Sequence, residues 1–520
     1  MRIESKADFP HNKGAIEMKK IIILLVALLT CLTAVFAGCG DSTGYDNKLT
    51  GFEGEVSSNG GFAVQKGEYI YFINGVETHT TDNTYGKVEM GALARVKASD
   101  LSNAEIVIPS LFVAGDKTSG FYIFGNEVYY ATPSTAKNKA GEIENTKLCF
   151  VKTSLDGKNS TIIETVANNA TQYRFVESNG VVYLVLNTVK TVQDEHGHDE
   201  EIKIVKVINT ATKEAKDSDK MESAIFADGN FDSVYFTVTA HDEALDKDEA
   251  FNELWNIKLD GTKEILLNGK DFGVSGAKLT LIKETASHLY LSAAYVDTSV
   301  TSVTNYYAFD KATKALTLLN SGSKSAATIF GANSWYRNVN SIVYLDTTYG
   351  LIEYNYEAKD FPEGRKLIGY GKDLIGYTVK FWQDGFVYLT DSSSNYYRVN
   401  VEALIANPSN DVVAERITIF ADSAWYTPEV IGDHFFSITS EEPYTALVFA
   451  TKLGEFHATE EEAKEALEKT ISKIKESNKA QIKENLDKFS ISFRSTAAQE
   501  AIDKYLEDNV TEEDHSGHNH

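Results

Sequence analysis

Cysteine is scarce. Three residues, Cys31, Cys39 and Cys149, in a chain of 520 exclude a disulfide-stapled scaffold, which needs several pairs in a short sequence. Basic side chains are also in deficit: 50 Lys and Arg face 75 Asp and Glu, for a formal net charge of −25. Nucleic acid and anionic lipid headgroups repel a chain of that sign, which leaves soluble partners, cations or basic surfaces. Several catalytic signatures are missing as well. The chain has no H-E-x-x-H helix, no C-x-x-C pair and no P-loop. A serine-histidine-aspartate triad is a matter of geometry and cannot be read from a sequence.

What is present begins near the N-terminus. Met18-Lys19-Lys20 opens a basic start, and Ile21 to Phe36 is almost wholly apolar. That run is shorter than the ~20 residues a membrane-spanning helix needs and has the layout of a secretory signal. The segment before Met18 is polar and acidic, and Lys13-Gly14 can be encoded by a purine-rich ribosome-binding sequence, so Met18 is the expected start. Ala37-Gly38-Cys39 resembles the lipobox of bacterial lipoproteins, with Phe36 where that family usually has Leu. The resemblance implies cleavage before Cys39, a diacylglyceryl group on its thiol, and a protein held by lipid on the extracytoplasmic face of the cell membrane. An ordinary secreted protein, or one with a single N-terminal anchor helix, is the alternative. Cys149, inside the run Leu148-Cys149-Phe150-Val151, reads as a buried core thiol. An exported chain without cysteine pairs favours a Gram-positive envelope.

Beyond residue 50 the sequence repeats. An apolar-aromatic-apolar core recurs as Ile70-Tyr71-Phe72, Val128-Tyr129-Tyr130, Val182-Tyr183-Leu184, Val234-Tyr235-Phe236, Leu289-Tyr290-Leu291, Val343-Tyr344-Leu345 and Val387-Tyr388-Leu389. Phe435-Phe436-Ser437 is a degraded eighth copy. Each copy follows another short alternating run and a turn such as Gly125-Asn126 or Asn179-Gly180, which are hairpin signals. A third and a fourth run come after it, joined in two repeats by Leu-Asp-Gly: Leu155-Asp156-Gly157 and Leu259-Asp260-Gly261. Four short antiparallel strands per repeat predict an all-β fold, a β-propeller of about eight four-stranded blades, with seven as the alternative. A pair of β-sandwiches is the competing architecture, but it predicts no common four-strand unit.

Over residues 50–455 this pattern resembles the propeller lipoproteins of Gram-positive bacteria and, more distantly, the YWTD-type propellers of lipoprotein receptors. The resemblance implies a fold and carries no activity. Four tryptophans are too few for the docking motifs of quinoprotein dehydrogenases, and Ser154-Leu155-Asp156-Gly157 is not a sialidase-type Asp box. The expected organisation is a signal peptide (1–38), a lipidated linker (39–50), the propeller (51–456), a helical appendage (457–509) and a disordered tail (510–520). Residues 51–56 are expected to supply the fourth strand of the last blade. Thr459 to Glu462 reads as a capping box, and Leu467, Ile471, Ile474, Ile482 and Leu486 follow helical spacing.

The loops between second and third strands read as long in repeats one to five and short afterwards, and long loops on a rigid scaffold are where binding resides. They also hold His79, His196, His198 and His241. In Asp194-Glu195-His196-Gly197-His198-Asp199, neutral imidazole and carboxylate would suit zinc or a similar divalent cation, with His196, His198, Asp194, Asp199 and His241 as candidate ligands. His515, His518 and His520 in the tail are candidates of the same kind. A solvated acidic loop is the competing reading. No cofactor is expected. The leading functional expectation is an anchored ligand-binding or scaffolding module, with a protein, glycan or small molecule as partner and no nucleic acid. A divalent-metal-binding lipoprotein and a propeller hydrolase or lyase are the alternatives.

Overall fold

The computed structural model describes residues 55–57, 62–76, 89–112, 120–134, 147–167, 172–225 (without 195), 233–241, 250–321 (without 285 and 286), 335–338, 341–346, 350–355, 365–366, 377–406, 414–417, 428–438, 447–453 and 479–509 (without 495). Cys39, His79, residues 459–478 and the tail histidines lie outside them.

Eight antiparallel sheets follow one another along the chain, numbered here as blades I to VIII. Blade I is built from Ala63–Lys66, Tyr69–Ile73, Leu93–Lys97 and Asp100–Ile108. Blades III to VII repeat that four-strand meander, within residues 173–217, 223–268, 278–321, 335–366 and 378–417. The count is therefore eight rather than seven. The aromatic triplets all fall in second strands. Tyr71, Tyr129, Tyr235, Tyr290, Tyr344, Tyr388 and Phe436 are buried, and Tyr183 is half-buried. A second strand has sheet on both edges and a neighbouring blade on both faces, so its residues read as a continuous apolar run.

The core lies between blades. Separate apolar clusters bridge blades II and III, III and IV, IV and V, VI and VII, and VII and VIII. A further cluster joins Phe436, Ile438, Val448 and Ala450 of blade VIII to Phe62, Tyr71, Phe72 and Leu93 of blade I, and runs on to Val128 and Cys149 of blade II. The last blade thus meets the first. First strands touch each other between blades IV and V and between VIII and I, which places them nearest the axis. The Leu-Asp-Gly turns are fitted to the blade before them. Gly157 sits at φ +72, and a Cβ there would come within 2.5 Å of the Val107 carbonyl oxygen in blade I. Gly261, at φ +87, lies against the side chain of Lys216 in blade III.

Closure differs from the expectation. Glu55–Ser57 does not reach the last blade. It pairs with Tyr122–Phe124, the first strand of blade II, and so adds a fifth strand on that sheet's inner edge. The reason is proximity along the chain: five residues separate the segment from Ala63, where the first strand of blade I begins, and it also contacts that strand. Blade VIII has three strands, Glu429–Ile431, His434–Ile438 and Val448–Lys452. Its open edge is taken by the C-terminal segment. Ser490 bridges Phe449, the Ile491 N–H donates to the Val448 carbonyl (3.0 Å), and the Val448 N–H donates to Ser492 Oγ (2.6 Å).

Three helices are described. Helix α1 (Val401–Ala406) is inserted between the third and fourth strands of blade VII, with Asn400 Oδ1 accepting from the Ala403 N–H (2.9 Å). Helices α2 (Lys479–Phe489) and α3 (Thr496–Asn509) form the C-terminal appendage. Their Ile482, Leu486, Ile502 and Leu506 pack on Leu447 and Phe449 of blade VIII and on Met90 from blade I. The described part of the apolar stripe, Ile482 and Leu486, thus packs on the propeller. No helix among the described residues is long and apolar enough to cross a membrane.

Candidate binding face

Antiparallel meanders sort their connections onto two faces. Second-to-third connections and blade-to-blade links share one end of the strands, here the loop face. First-to-second and third-to-fourth turns share the other, the turn face.

The most prominent feature of the loop face is a hairpin of blade III. Its strands Val181–Gln193 and Asp199–Asn209 pair without interruption from Tyr183↔Asn209 to Gln193↔Asp199. The alternation of Thr188-Val189-Lys190-Thr191-Val192 favours strand over loop, so the stretch that read as a long loop is an extended hairpin with a five-residue turn. Blade V behaves alike, with only residues 297–301 between its second and third strands. The base of the blade III hairpin is core (Leu184, Val185, Leu186 and Val205), while Thr191, Gln193 and Asp199 to Glu201 stand in solvent or near it. Ion pairs Lys190–Asp217 and Lys220–Glu200 (both 2.7 Å) flank it. Surface pairs of this kind contribute ~0–1 kcal/mol each, so the hairpin is held chiefly by its backbone ladder.

The candidate metal ligands sit on that turn. Asp194 Oδ1 accepts from the N–H groups of both His196 and His198 (2.8 Å each), and Gly197 takes φ +80. His198 Nδ1 is 3.4 Å from Asp194 Oδ2, and the two imidazole centroids are 6.3 Å apart. The backbone hydrogen bond from His198, with a second from His196, holds the Asp194 carboxyl below its ordinary value. The same arrangement recurs in blade V, where Asp297 Oδ1 caps Ser299 and Thr301, and in blade VII, where Asp391 Oδ1 caps Ser393 and Asn395. Each has a left-handed residue at the fourth position, Val300 (φ 60) or Ser394 (φ 62). An aspartate that closes the turn in three blades is explained by the turn itself. His196, His198 and Asp194 are thus brought together, Asp199 begins the return strand, and His241 stands exposed on blade IV. Among the described residues, no group of three or more His, Cys, Asp or Glu side chains could hold a metal ion.

Beside the hairpin, on blades IV and V, lies a groove of about 490 Å³ lined by Ala250, Ser275, Lys278, Tyr295, Ser302 and Thr304. Tyr295 is fixed on two sides. Its hydroxyl accepts from Asn305 Nδ2 (2.6 Å), and its ring lies 5.8 Å from that of Phe272. The hydroxyl also approaches that of Tyr307 at 3.4 Å, and burial pushes the Tyr307 phenol up to about 12. Val274 and Val300 near its rim are 53% and 81% exposed. A rigid aromatic wall, hydroxyls and a lysine suit reversible binding of a polar ligand. Sequence reading missed this groove, because its walls come from strands and a blade link that carry no motif. It also missed the pentapeptide Gly40-Asp41-Ser42-Thr43-Gly44, which matches G-x-S-x-G. That pentapeptide follows Cys39 with neither a strand pattern before it nor a helical one after it, and lies outside the described residues. A second groove, of about 720 Å³, runs along the seam between blades I and VIII and is lined by Ser99, Asn103, His434, Lys488 and Arg494 among others.

No protein-family model and no curated protein matches the chain. Solved structures do. The β-propeller domain of the Trilobed protease from Pyrococcus furiosus is 12% identical, over 76% of this chain and 97% of that one, with a TM-score of 0.32. Eight successive sheets, the last packed on the first, make the fold a β-propeller. The acylaminoacyl peptidase of Pyrococcus horikoshii is 11% identical over 77% of this chain (TM-score 0.33), and this propeller spans only 59% of that enzyme. AztD from Citrobacter koseri is 11% identical over 61% of this chain and 91% of its own length (TM-score 0.29). At these identities the likeness concerns fold alone. No activity of those proteins passes to this propeller.

Proposed function

We propose that this propeller is a lipid-anchored, extracytoplasmic binding or scaffolding module, and that the loop face of blades III to V is where it engages its ligand. The observation that carries the reading is the concentration on one face of the extended hairpin and the Tyr295 groove, both mounted on sheets whose cores are fully packed. A rigid scaffold presenting a projecting element beside a concave one suits recognition, since little conformational freedom remains to be lost on binding. Anchoring rests on the abrupt boundary at Cys39, where an apolar run ends in small residues and the chain turns polar. The recurrence of the turn aspartate in blades III, V and VII supports a structural role for Asp194 rather than a metal centre.

The test has two arms. Cys39→Ala should move the protein from the detergent phase to the aqueous phase; unchanged partitioning refutes anchoring. For the loop face, residues 190–202 are replaced by Asn-Gly, which lets Val189 and Lys203 flank a two-residue hairpin turn. Amine cross-linking in intact cells should then lose the neighbours captured through Lys203 and Lys278, which both proteins retain. The same captured set in both proteins would remove the hairpin from the binding face.

A further inference from the structure

The inner-edge strand fixes which way the chain enters the ring. Its register is antiparallel to the first strand of blade II: Glu55 opposes Phe124, and Ser57 opposes Tyr122. Phe124 leads directly into the turn at Gly125-Asn126, so Glu55 lies at the turn face and Ser57 toward the loop face. The chain therefore climbs along the axis from the turn face, reverses, and descends again as the first strand of blade I. Glu55 thus stands at the mouth of the turn face, where the described strand enters the ring.

The two faces also differ in charge. The second-to-third connections of blades III and IV, residues 194–201 and 241–250, carry ten acidic residues and a single lysine, Lys247. The third-to-fourth turns of blades II to V, residues 154–159, 209–214, 258–263 and 310–315, carry four acids and six lysines. Next to an anionic leaflet those two loop-face connections are repelled, whereas those four turns are not.

We propose that the protein stands on the membrane with its turn face toward the bilayer and its acidic loop face directed away from it. This rests on the reading of Cys39 as the lipid anchor. Residues 40–54 reach at most about 50 Å when fully extended. With the turn face down, that tether is slack. With the loop face down, it must leave the axis, cross a blade and run back along its height. Three inter-strand spacings and a nine-residue strand come to about 45 Å, which consumes nearly the whole tether before it meets the lipid. The path selects this orientation, and the charge of those connections agrees with it. The hairpin of blade III and the Tyr295 groove then face outward, where a partner held in the wall or on another cell-surface component can reach them, and the seam groove faces inward.

Blade V supplies two matched probe positions. Val300 and Lys314 both occupy left-handed turn positions and are exposed. They flank opposite ends of the third strand, Ser302–Asp310, and lie about 30 Å apart along it. Lys314→Cys and Val300→Cys are made separately in the full lipidated chain, Cys149 being buried. Each is labelled with a donor dye, and the protein is reconstituted into phosphatidylglycerol-containing vesicles doped with an acceptor lipid. Across that 30 Å, energy transfer from the turn-face probe should exceed that from the loop-face probe by about twofold or more. Greater transfer from Val300→Cys overturns the orientation, and so does equal transfer from both, which would mean no fixed stance. If the unlabelled native protein does not float with vesicles at all, the anchoring reading fails and takes the orientation with it. Flotation with reversed transfer leaves anchoring standing and removes only the orientation.

Discussion

Leu486 is the residue through which the appendage can be separated from the ring. It is 1% exposed and packs among Leu447, Phe449, Ile482, Ile502 and Leu506. Leu486→Ala leaves a cavity between helix α2 and the edge of blade VIII, at a cost of about 3 kcal/mol for a buried leucine. An eight-bladed array need not unfold in one step, so a single melting temperature is a blunt measure. Hydrogen exchange reads the local event. If the helices and residues 490–492 open together from the blade edge, 3 kcal/mol raises the rate of exchange through that opening by about two orders of magnitude. Peptides covering 447–453 and 486–494 should show it. Peptides from Tyr290–Leu291 in blade V should not. The exposed neighbour Lys483→Ala is the control, and should leave both regions unchanged. Unaltered protection of 447–453 in a folded Leu486→Ala protein would refute the account of the last blade, because Val448 would then owe nothing to the C-terminal segment.

Other outcomes follow from the same geometry. Gly157→Ala should be the more damaging of the two Leu-Asp-Gly substitutions, since its methyl meets the Val107 backbone, whereas that of Gly261→Ala meets only the movable Lys216 chain; a left-handed non-glycine residue alone costs about 1–3 kcal/mol, and equal denaturation midpoints for the two variants would contradict the fit. Deleting residues 40–58 should raise amide exchange along Tyr122–Phe124 and leave blade VIII protected, and the opposite pattern would restore closure by the N-terminus. The Asp194 carboxyl is held below its ordinary value of 3.8 by hydrogen bonds made in the folded turn, so its contribution is present above that value and fades as pH falls through the lower folded one; amide exchange at Gly197 and His198, corrected for its intrinsic pH dependence, should show loss of protection only there. Zinc titrated calorimetrically into a chain ending at Asn509 should bind weakly and equally to the native sequence and to His196→Ala/His198→Ala. Tight binding lost in the double variant would turn the hairpin tip into a metal site.

The blades were legible because their second strands are buried from every side. Ile70-Tyr71-Phe72 and Leu289-Tyr290-Leu291 must be apolar at consecutive positions, and that signature survives without any alignment. Ring closure was not legible, because it depends on which of two short free segments reaches a given edge. Glu55–Ser57 is three residues long, and Ser490 to Ser492 is hardly longer. Neither has a periodicity, and both are chosen by where the neighbouring chain already lies. Residues 187–201 were misread as loop because their charges outweighed the alternation Thr188-Val189-Lys190-Thr191-Val192. Asp194 read as a candidate ligand beside the solvated-loop reading because composition cannot distinguish a carboxylate aimed at a cation from one aimed at backbone N–H groups. Comparison with Asp297-Thr298-Ser299-Val300-Thr301 and Asp391-Ser392-Ser393-Ser394-Asn395 would have shown the shared spacing. Helix α1 left only the cap at Asn400 as a cue.

The seat of residues 490–492 on blade VIII also sets the order in which the molecule can be finished. A chain is synthesised N-terminus first, and domains or repeats that have all their strands can settle as they appear. Blades I to VII meet that condition well before synthesis ends. Blade VIII does not: the strand at its outer edge, and the side chains that cover Leu447 and Phe449, are encoded in the last 42 residues, from Lys479 onward. The seam between first and last blades therefore stays uncovered until synthesis is almost complete. A chain cut short by even that small fraction has most of its core built and one sheet edge open, which is the form most exposed to proteases and to pairing with a second copy.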